Sequence, residues 1–238
     1  MDPTNSMGSS EDLFTPIHKG LRSLLYQLSG RVQTNDFADI SATTVLVGEL
    51  ERDFAIARST GCAVCVMAAH AQHEERFIFP ASDRVGNELV ARLILDHHEL
   101  TRREVAIAAA GHQLLALPTP DDRLAAGTRL NRAMNELLAA YVDHMNREET
   151  ELVPLMQQHF SDAEMAAMRG AIMGSLPPEQ QVAFLRWILP SLNASELAAF
   201  LRGTRTALPP PAFSKLTDLC ASTVEAARWA DVRARVGI

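Results

Sequence analysis

Two eleven-residue segments of the chain carry the same metal-binding residue types at the same spacing. Segments 70–80 and 144–154 both have His at the first position, Glu-Glu at the fifth and sixth, and Pro at the last. A histidine and a glutamate four residues apart lie one above the other on a helix. Two such helices facing each other bring two imidazoles and two carboxylates to one point, a mixture that suits a pair of iron ions. The repeat supplies the candidate ligands His70, Glu74, His144 and Glu148.

Two further histidines complete the candidate set. His18 and His97 each lie beside leucine and valine residues at helical spacing, and such positions face inward in a four-helix bundle. A helix with one histidine is followed by a helix with His-x-x-x-Glu, and the order then repeats, as expected of a duplicated helix pair. The predicted metal ligands are His18, His70, Glu74, His97, His144 and Glu148.

Burial of these groups would be costly without a metal. Two buried carboxylates without partners cost several kcal/mol each, and neutral imidazoles bring no compensating charge. Six residues with bridging carboxylates supply about eight donor bonds, whereas two six-coordinate ions need about twelve. We therefore expect room for an oxo or hydroxo bridge and for an external ligand. Zinc fits less well, since it usually takes four ligands and often cysteine.

Helical periodicity predicts an all-α fold with four long helices that position these residues. Helix A begins with Thr15 as cap and Pro16 in its first turn, and helix B runs from about Ser41 to Phe77. Helix C covers about 87–115 and helix D about 121–159. Short connections favour an up-down-up-down four-helix bundle.

The rest of the chain divides into a flexible N-terminal tail over 1–12, the bundle over 13–160 and a helical extension over 161–238 that packs on the bundle. Capping boxes at 161–164 and 193–196, and prolines at 177–178 and 209–211, predict where the helices of the extension begin. The extension has no histidine, which confines the metal chemistry to the first 160 residues.

Composition excludes several function classes. Apolar residues make up 47% of the 238 residues, enough for a sizeable core, and the net charge is −7. No basic stripe or run indicates nucleic acid or an anionic membrane as a partner. No apolar run is long enough to span a membrane, and the N-terminus lacks the apolar stretch of a secretory signal. Three cysteines fit a reducing cytoplasm.

For several neighbouring residues the evidence of a role at the metal site is weaker. His73 and His98 adjoin candidate ligands, and a role for either as a fifth histidine ligand stays open. Glu75 and Glu149 are expected on the surface or paired near the site, where they could orient a ligand imidazole. Tyr141, one turn before His144, fits either the core or a hydrogen bond to a bound oxygen species.

Other candidates favour structural roles. Cys62 and Cys65 form a C-x-x-C inside a helix, without the strand-to-helix setting of a redox motif, so they are interpreted as small buried residues. His112 and His159 lie at predicted helix ends and are interpreted as surface groups or as cations near helix C-termini.

The ordered motifs resemble those of the hemerythrin-like, or HHE cation-binding, domains. The resemblance covers about residues 13–160 and rests on His18-Lys19, Asp96-His97 and the two His-x-x-x-Glu-Glu segments followed by proline. It implies an up-down four-helix bundle with a non-heme di-iron centre, in which Glu74 and Glu148 bridge the ions. Oxygen-carrying members have a fifth histidine one turn after the third-helix histidine, where this chain has Thr101. The resemblance therefore implies an open iron, as in relatives that sense or process oxygen, peroxide or nitric oxide.

Two functions follow as hypotheses. The first is a cytoplasmic di-iron protein, with two iron ions as cofactor, that binds or processes a small oxidant or gas such as dioxygen, hydrogen peroxide or nitric oxide. Whether it is an oxidoreductase with turnover stays open. The second is an iron- or oxygen-responsive regulatory module without turnover, in which the helices of 161–238 report occupancy to a partner. Iron storage is a weaker third possibility. The sequence leaves the oligomeric state open.

Overall fold

The computed structural model describes residues 12–54 and 66–238, apart from the side chains of residues 82 and 83. These residues form helices and their connections, with no strand among them, as predicted. The N-terminal tail and the Cys62–Cys65 pair lie outside the described residues, except for Asp12 at the tail's end. No helix in the described ranges is long and apolar enough to span a membrane.

Seven α-helices lie within the described residues of the first two thirds of the chain, and those that correspond to the predicted helices C and D lie where they were expected. The predicted helix C corresponds to a single helix, and helix D corresponds to a long helix that continues through an irregular turn into a short one. The helices are α1 (Thr15–Thr34), α2 (Ile40–Asp53), α3 (Val66–His73), α4 (Ser82–Val85), α5 (Asn87–Leu115), α6 (Pro120–Arg147) and α7 (Val153–His159).

The predicted continuous helix B is wrong. Helix α2 ends at Asp53, because Phe54 adopts an extended backbone with φ −106° and ψ 173°. The Phe54 side chain is fully buried in the core, so its burial outweighs continuation of the helix. The next described residue, Val66, is helical, and helical structure continues from it past Phe77, through a 3₁₀ turn at Phe79–Ala81, to the end of α4. Periodicity alone did not reveal this break.

The predicted cap of helix A is also wrong, by one residue. Thr15 is the first helical residue, and Phe14 precedes it without a side-chain cap. Instead, the Asp12 carboxylate accepts hydrogen bonds from the backbone N–H groups of Phe14 and Thr15, each at 2.9 Å. The proline of the first turn is present as predicted.

Both His-x-x-x-Glu segments pass from α-helix into a π-helical turn at the glutamate. The turns span Glu74–Ile78 and Glu148–Leu152, and in each the fifth residue after the glutamate donates its N–H to the glutamate carbonyl. Single π-turns within helices occur most often at functional sites. The duplicated segments therefore share an irregular backbone as well as a sequence pattern.

The helices around this region share one apolar core. Helix α1 packs against α6, α5 packs against both α2 and α6, and α2 also contacts α1. The apolar residues of this core are mostly aliphatic, which fits the low aromatic content of 5%. A second cluster, with Phe14, Phe79 and Phe160 among its members, closes the end of the helices beyond the π-turns.

Five helices follow in the C-terminal part. They are α8 (Asp162–Ser175), α9 (Pro178–Ser191), α10 (Ala194–Ala207), α11 (Pro210–Thr223) and α12 (Ala226–Val236). Both predicted capping boxes are present, at the starts of α8 and α10, and prolines begin α9 and α11. Helices α9 to α12 enclose their own apolar cluster.

Helix α9 lies directly on α1. The backbones approach closely at Gly20, since a Cβ atom there would lie 3.1 Å from the backbone of Trp187 and of Ile188. Lys19 forms an ion pair with Glu196 of α10 beside this contact. The C-terminal helices are thus attached to the helix that carries His18.

Candidate metal centre

Six buried residues, each from a different helical segment, meet at one place. His18 comes from α1, His70 from α3, His97 from α5 and His144 from α6, while Glu74 and Glu148 begin the two π-turns. All are buried, and Glu148 is completely so. The structure brings together every residue of the predicted ligand set.

These residues form two overlapping groups that could each hold a metal ion. The first contains His18 and His70, the second contains His97 and His144, and both contain Glu74 and Glu148. Within each group the potential ligand atoms lie within 4.8 Å of one another. Two adjacent sites that share two carboxylates are typical of a dinuclear arrangement.

Each glutamate points one oxygen at either group. Glu74 Oε1 lies 3.0 Å from His70 Nε2, and Glu74 Oε2 lies 3.1 Å from His97 Nε2. Glu148 Oε2 lies 3.3 Å from His18 Nε2, and Glu148 Oε1 lies 3.4 Å from His144 Nε2. Both side chains therefore have the orientation that a bridging carboxylate needs.

The hydrogen bonding of this cluster is incomplete in a way that fits metal ions. Both oxygens of Glu74 and of Glu148, and the Nε2 atoms of all four histidines, are buried without a hydrogen-bond partner. Buried polar atoms are almost always paired, since an unpaired one costs about 1–3 kcal/mol. In this cluster all the unpaired nitrogen and oxygen atoms point at a common centre. Cations bound there would pair them.

The cluster also lacks a fixed positive charge that would balance its two buried carboxylates. Burial strongly disfavours protonated imidazole and lowers the pKa of His70, and it lowers the pKa of His144 to about 4. Burial acts on His97 as well, but the carboxylates of Glu74, Glu148 and Glu75 outweigh it and raise its pKa to about 9. Protons on some imidazoles then partly balance the carboxylates.

The pKa values of His18 and of the two glutamates reflect the same competition between burial and neighbouring charges. Burial opposes protonation of His18, yet the facing carboxylates raise its pKa well above the ordinary value. Burial raises the pKa of Glu148 with help from nearby Glu74, whereas the surrounding imidazoles overcome burial at Glu74 and lower its pKa. A cation bound between these groups would replace such protons.

Two of the imidazoles contact carboxylates of the repeat through Nδ1, the ring nitrogen that faces away from the cluster. The Nδ1 atom of His18 lies 2.9 Å from Oε1 of Glu149, and the Nδ1 atom of His97 lies 2.9 Å from Oε1 of Glu75. Such hydrogen bonds fix the ring and leave Nε2 free for a metal. The first half of the repeat carries His18 and His70, and the second half carries His97 and His144. In each Glu-Glu pair, the first carboxylate therefore points into the cluster and the second contacts a histidine of the other half.

Charged side chains hold these carboxylates in turn. Arg22 donates to Glu149 Oε1 at 2.8 Å, so Glu149 is shared between a guanidinium and an imidazole. Asp96 accepts from Arg147 at 2.5 Å and lies 3.5 Å from His144 Nδ1. The second histidine segment therefore has a supporting carboxylate from α5.

The weaker histidine candidates are not part of the cluster. His98 is exposed, and His73 is half-buried against the rings of Phe77 and Phe184. Neither belongs to a group that could hold a metal ion among the described residues. His112 is an exposed partner of Glu51, and His159 is exposed at the end of α7, in keeping with their interpretation as surface groups.

A small cavity adjoins the cluster on the side of His70, His97 and His144. It leaves about 10 Å³ for the centre of a water-sized molecule, roughly the space that one water needs. Thr101 contributes to its wall at the position where a fifth histidine would lie. Tyr141 and Glu104 line it too, and the Tyr141 hydroxyl donates a hydrogen bond to Glu104 Oε1.

The family is decided by comparison with known protein families. Residues 10–156, more than half of the chain, match the model of the hemerythrin HHE cation binding domain. The chain belongs to the hemerythrin HHE family. Comparison with curated proteins and with solved structures gave no match.

Membership of the hemerythrin HHE family agrees with the site. The matched range contains all six clustered residues and ends within α7, before the C-terminal helices begin. Cation binding is the property named for this domain, and the cluster offers buried histidine and glutamate atoms suited to it.

Sequence reasoning missed Glu104 in this hemerythrin HHE domain. Its side chain is only 1% exposed, yet it was not singled out. The signal was present, because Glu104 follows His97 by two helical turns and therefore lies on the same face. A glutamate at such an inward position is uncommon enough to mark a candidate.

Proposed function

We propose that the protein is a non-heme di-iron protein that binds or processes a small oxidant, namely dioxygen, hydrogen peroxide or nitric oxide. The observation that carries the proposal is the pair of histidine groups sharing Glu74 and Glu148, with every inward ligand atom unpaired. Imidazole and carboxylate ligands with open positions are typical of redox-active non-heme iron. Bound iron would supply electron transfer to a small molecule.

The proposed ligands divide between two ions. His18 and His70 would hold one ion and His97 and His144 the other, with both glutamates common to the two. Each ion then has about four protein ligands, and an octahedral ion has about two positions left for other groups. The number of ions and their identity as iron belong to the proposal.

The surrounding residues orient the centre and restrict access to it. Glu149 and Glu75 hold the rings of His18 and His97 through Nδ1. The aliphatic core excludes bulk water, which strengthens electrostatic interactions within the site. The adjoining cavity has room for about one water-sized molecule, which suits a small oxidant better than an organic substrate.

The arrangement of the elements is proposed as follows. The four members of an up-down-up-down bundle over 13–160 would be α1, α2 together with α3, α5, and α6 together with α7, supported by the packing of α1 on α6 and of α5 on α6. Residues 161–238 form the extension on this bundle, supported by the contact of α9 with α1. A reducing cytoplasm is the proposed location, which suits the buried free thiol of Cys220.

Anaerobic loading with ferrous iron tests the function. The loaded protein should hold two irons per chain, and its optical spectrum should change when dioxygen, hydrogen peroxide or nitric oxide is added. The matched variant Glu148→Gln should lose the spectrum, whereas Glu151→Gln, an exposed glutamate of the same π-turn, should keep it. A colourless wild-type protein that takes up no iron would overturn the proposal.

One observation favours the regulatory alternative as a second candidate. The close contact between Gly20 and α9 joins the His18 helix to the C-terminal helices, so a shift of α1 on metal binding would reach α9. Hydrogen exchange of α9 with and without iron tests this route. Faster exchange of α9 after iron removal supports it, and unchanged exchange contradicts it.

A further inference from the structure

The two groups of candidate ligands share both glutamates, so a difference between the groups comes from their histidines. We call the group with His18 and His70 the His18–His70 position, and the group with His97 and His144 the His97–His144 position. A carboxylate at the outer nitrogen of a ligand imidazole makes the ring a stronger metal ligand. The Nδ1 contacts of the four rings therefore show whether the two positions are equivalent.

Aromatic packing does not separate the two positions. The ring centroid of Phe14 lies 5.5 Å from that of His18, and the ring centroid of Phe79 lies 5.5 Å from that of His97. One imidazole of each position thus has an aromatic neighbour at the same distance. A difference between the positions has to come from the charged groups at Nδ1.

The His18–His70 position has one carboxylate contact at Nδ1, and that contact is shared. Glu149 Oε1 lies 2.9 Å from His18 Nδ1, and the same oxygen accepts a hydrogen bond from Arg22 at 2.8 Å. Because a nearby cation lowers the proton affinity of a carboxylate, this oxygen is a weaker acceptor for the imidazole N–H. Among the described residues, the carboxylate contact of His70 is with Glu74 through Nε2, and none is at Nδ1.

Both imidazoles of the His97–His144 position face a carboxylate at Nδ1. Glu75 Oε1 lies 2.9 Å from His97 Nδ1, and within the described ranges no lysine or arginine forms an ion pair with Glu75. Asp96 lies 3.5 Å from His144 Nδ1 and also binds Arg147. This position therefore has two supported rings, and the carboxylate of Glu75 is unshared.

Solvent exposure acts in the opposite direction but is the smaller effect. The Glu75 side chain is 40% exposed and that of Glu149 is 24% exposed, so water screens Glu75 more. The imidazole that Glu75 contacts is only 4% exposed, however, so the contact lies at the buried end of the carboxylate. At Glu149 a full positive charge lies at hydrogen-bond distance from the accepting oxygen. The balance favours the His97–His144 position.

We propose that the two positions are unequal, and that the His97–His144 position binds its metal ion first because Glu75 supports His97. The inference rests on the dinuclear centre of the proposed function and adds the order in which it fills. Glu75 is a positioning residue, since it acts on the ion through the imidazole. Support of one ligand imidazole typically changes metal affinity about 10- to 100-fold, so the two dissociation constants should differ about tenfold or more.

Cobalt(II) titration of proteins with one complete position tests the order. Cobalt(II) is the probe, because its binding is followed in the optical spectrum without a redox reaction. His18→Ala leaves the His97–His144 position complete, and His144→Ala leaves the His18–His70 position complete. Competition with a chelator should give His18→Ala the first dissociation constant of the wild type, and His144→Ala one about tenfold weaker or more. Equal constants, or tighter binding by His144→Ala, would overturn the inference.

Variants that keep all six ligands test the role of Glu75. Glu75→Gln should raise the first dissociation constant for cobalt about tenfold, whereas Glu149→Gln should raise only the second. Glu88→Gln, at an exposed position on α5, is the matched control and should change neither constant. No effect of Glu75→Gln on the first constant, or an effect of Glu149→Gln on it, contradicts the proposed order. If a histidine variant does not fold, this comparison decides.

The outcomes separate this inference from the proposed function. Two cobalt ions bound in the reverse order, or with equal affinity, overturn the inference and leave the dinuclear centre in place. Two cobalt ions bound in the expected order, with iron-loaded protein that does not respond to any oxidant, overturn the proposed function and leave the inference standing. A wild-type protein that binds fewer than two cobalt ions overturns both.

Discussion

The Nδ1 atom of His18 lies 2.9 Å from Oε1 of Glu149, although 131 residues separate the two in the chain. The equivalent contact in the other half joins His97 to Glu75 at the same distance. In each half of the repeat, the second glutamate of the Glu-Glu pair therefore orients a histidine of the other half. This exchange ties the two halves together around the cluster.

Loss of Glu149 should weaken metal binding. Removal of a carboxylate that orients a ligand imidazole typically lowers metal affinity about 10- to 100-fold, and we expect this range for Glu149→Ala. A competition titration with a chelator measures the effect. Glu136→Ala, at an exposed position on α6, is the control. Equal affinities of the two variants would show that the His18 contact does not support metal binding.

Metal uptake at pH 7 should release protons. In the metal-free protein, carboxylates raise the pKa of His97 to about 9 and that of His18 well above its ordinary value, so both are protonated at this pH. A metal ion needs the neutral ring, and affinity should therefore fall as the pH is lowered. Titration in weakly buffered solution detects the released protons. Uptake without acidification would contradict the charge balance described for the cluster.

Gly20→Ala should destabilise the protein. The added Cβ would lie 3.1 Å from the backbone of Trp187 and Ile188, and such overpacking costs about 1–3 kcal/mol. Gly30→Ala is the matched control on the same helix, because an added Cβ there would meet no other described segment of the protein within 4 Å. That variant should instead stabilise the helix by about 0.5–1 kcal/mol. Denaturant unfolding of both variants checks the difference; equal effects would mean that α9 does not press on α1.

The stability effect of substituting a second glycine, Gly127, should depend on the neighbouring residue Phe37. A Cβ at Gly127 would clash with the buried ring of Phe37, so Gly127→Ala should lower the free energy of unfolding by about 3 kcal/mol, the upper range for overpacking. In a Phe37→Leu background the same change should cost clearly less, since the clashing ring is gone. The double-mutant cycle measures this coupling. Additive losses would contradict the close contact of α6 with Phe37.

Much of the helical structure and of the cluster could be predicted from the sequence, because both follow from spacing. Helix α5 has the bounds predicted from its apolar period, and the capping boxes at 161–164 and 193–196 begin helices as expected. The convergence of the six histidine and glutamate residues followed from placing each on an inward helical face. The all-helical fold is confirmed.

The irregular features could not be predicted, because they depend on contacts between distant segments. The break after Asp53 depends on burial of Phe54 in the core, which periodicity does not encode. The π-turns at Glu74 and Glu148 leave no mark in the apolar pattern. Glu104, by contrast, could have been predicted, because it lies two helical turns after His97 on the same buried face of α5.

The number of metal ions per chain tests the central claim most directly. Iron-loaded wild-type protein, freed of unbound metal, should contain two ions per chain by elemental analysis. Because Glu148 belongs to both groups, Glu148→Gln should reduce occupancy of both ions together, while Glu151→Gln should retain two. One ion or none in the wild type, or two in Glu148→Gln, would contradict a dinuclear centre bridged by these glutamates.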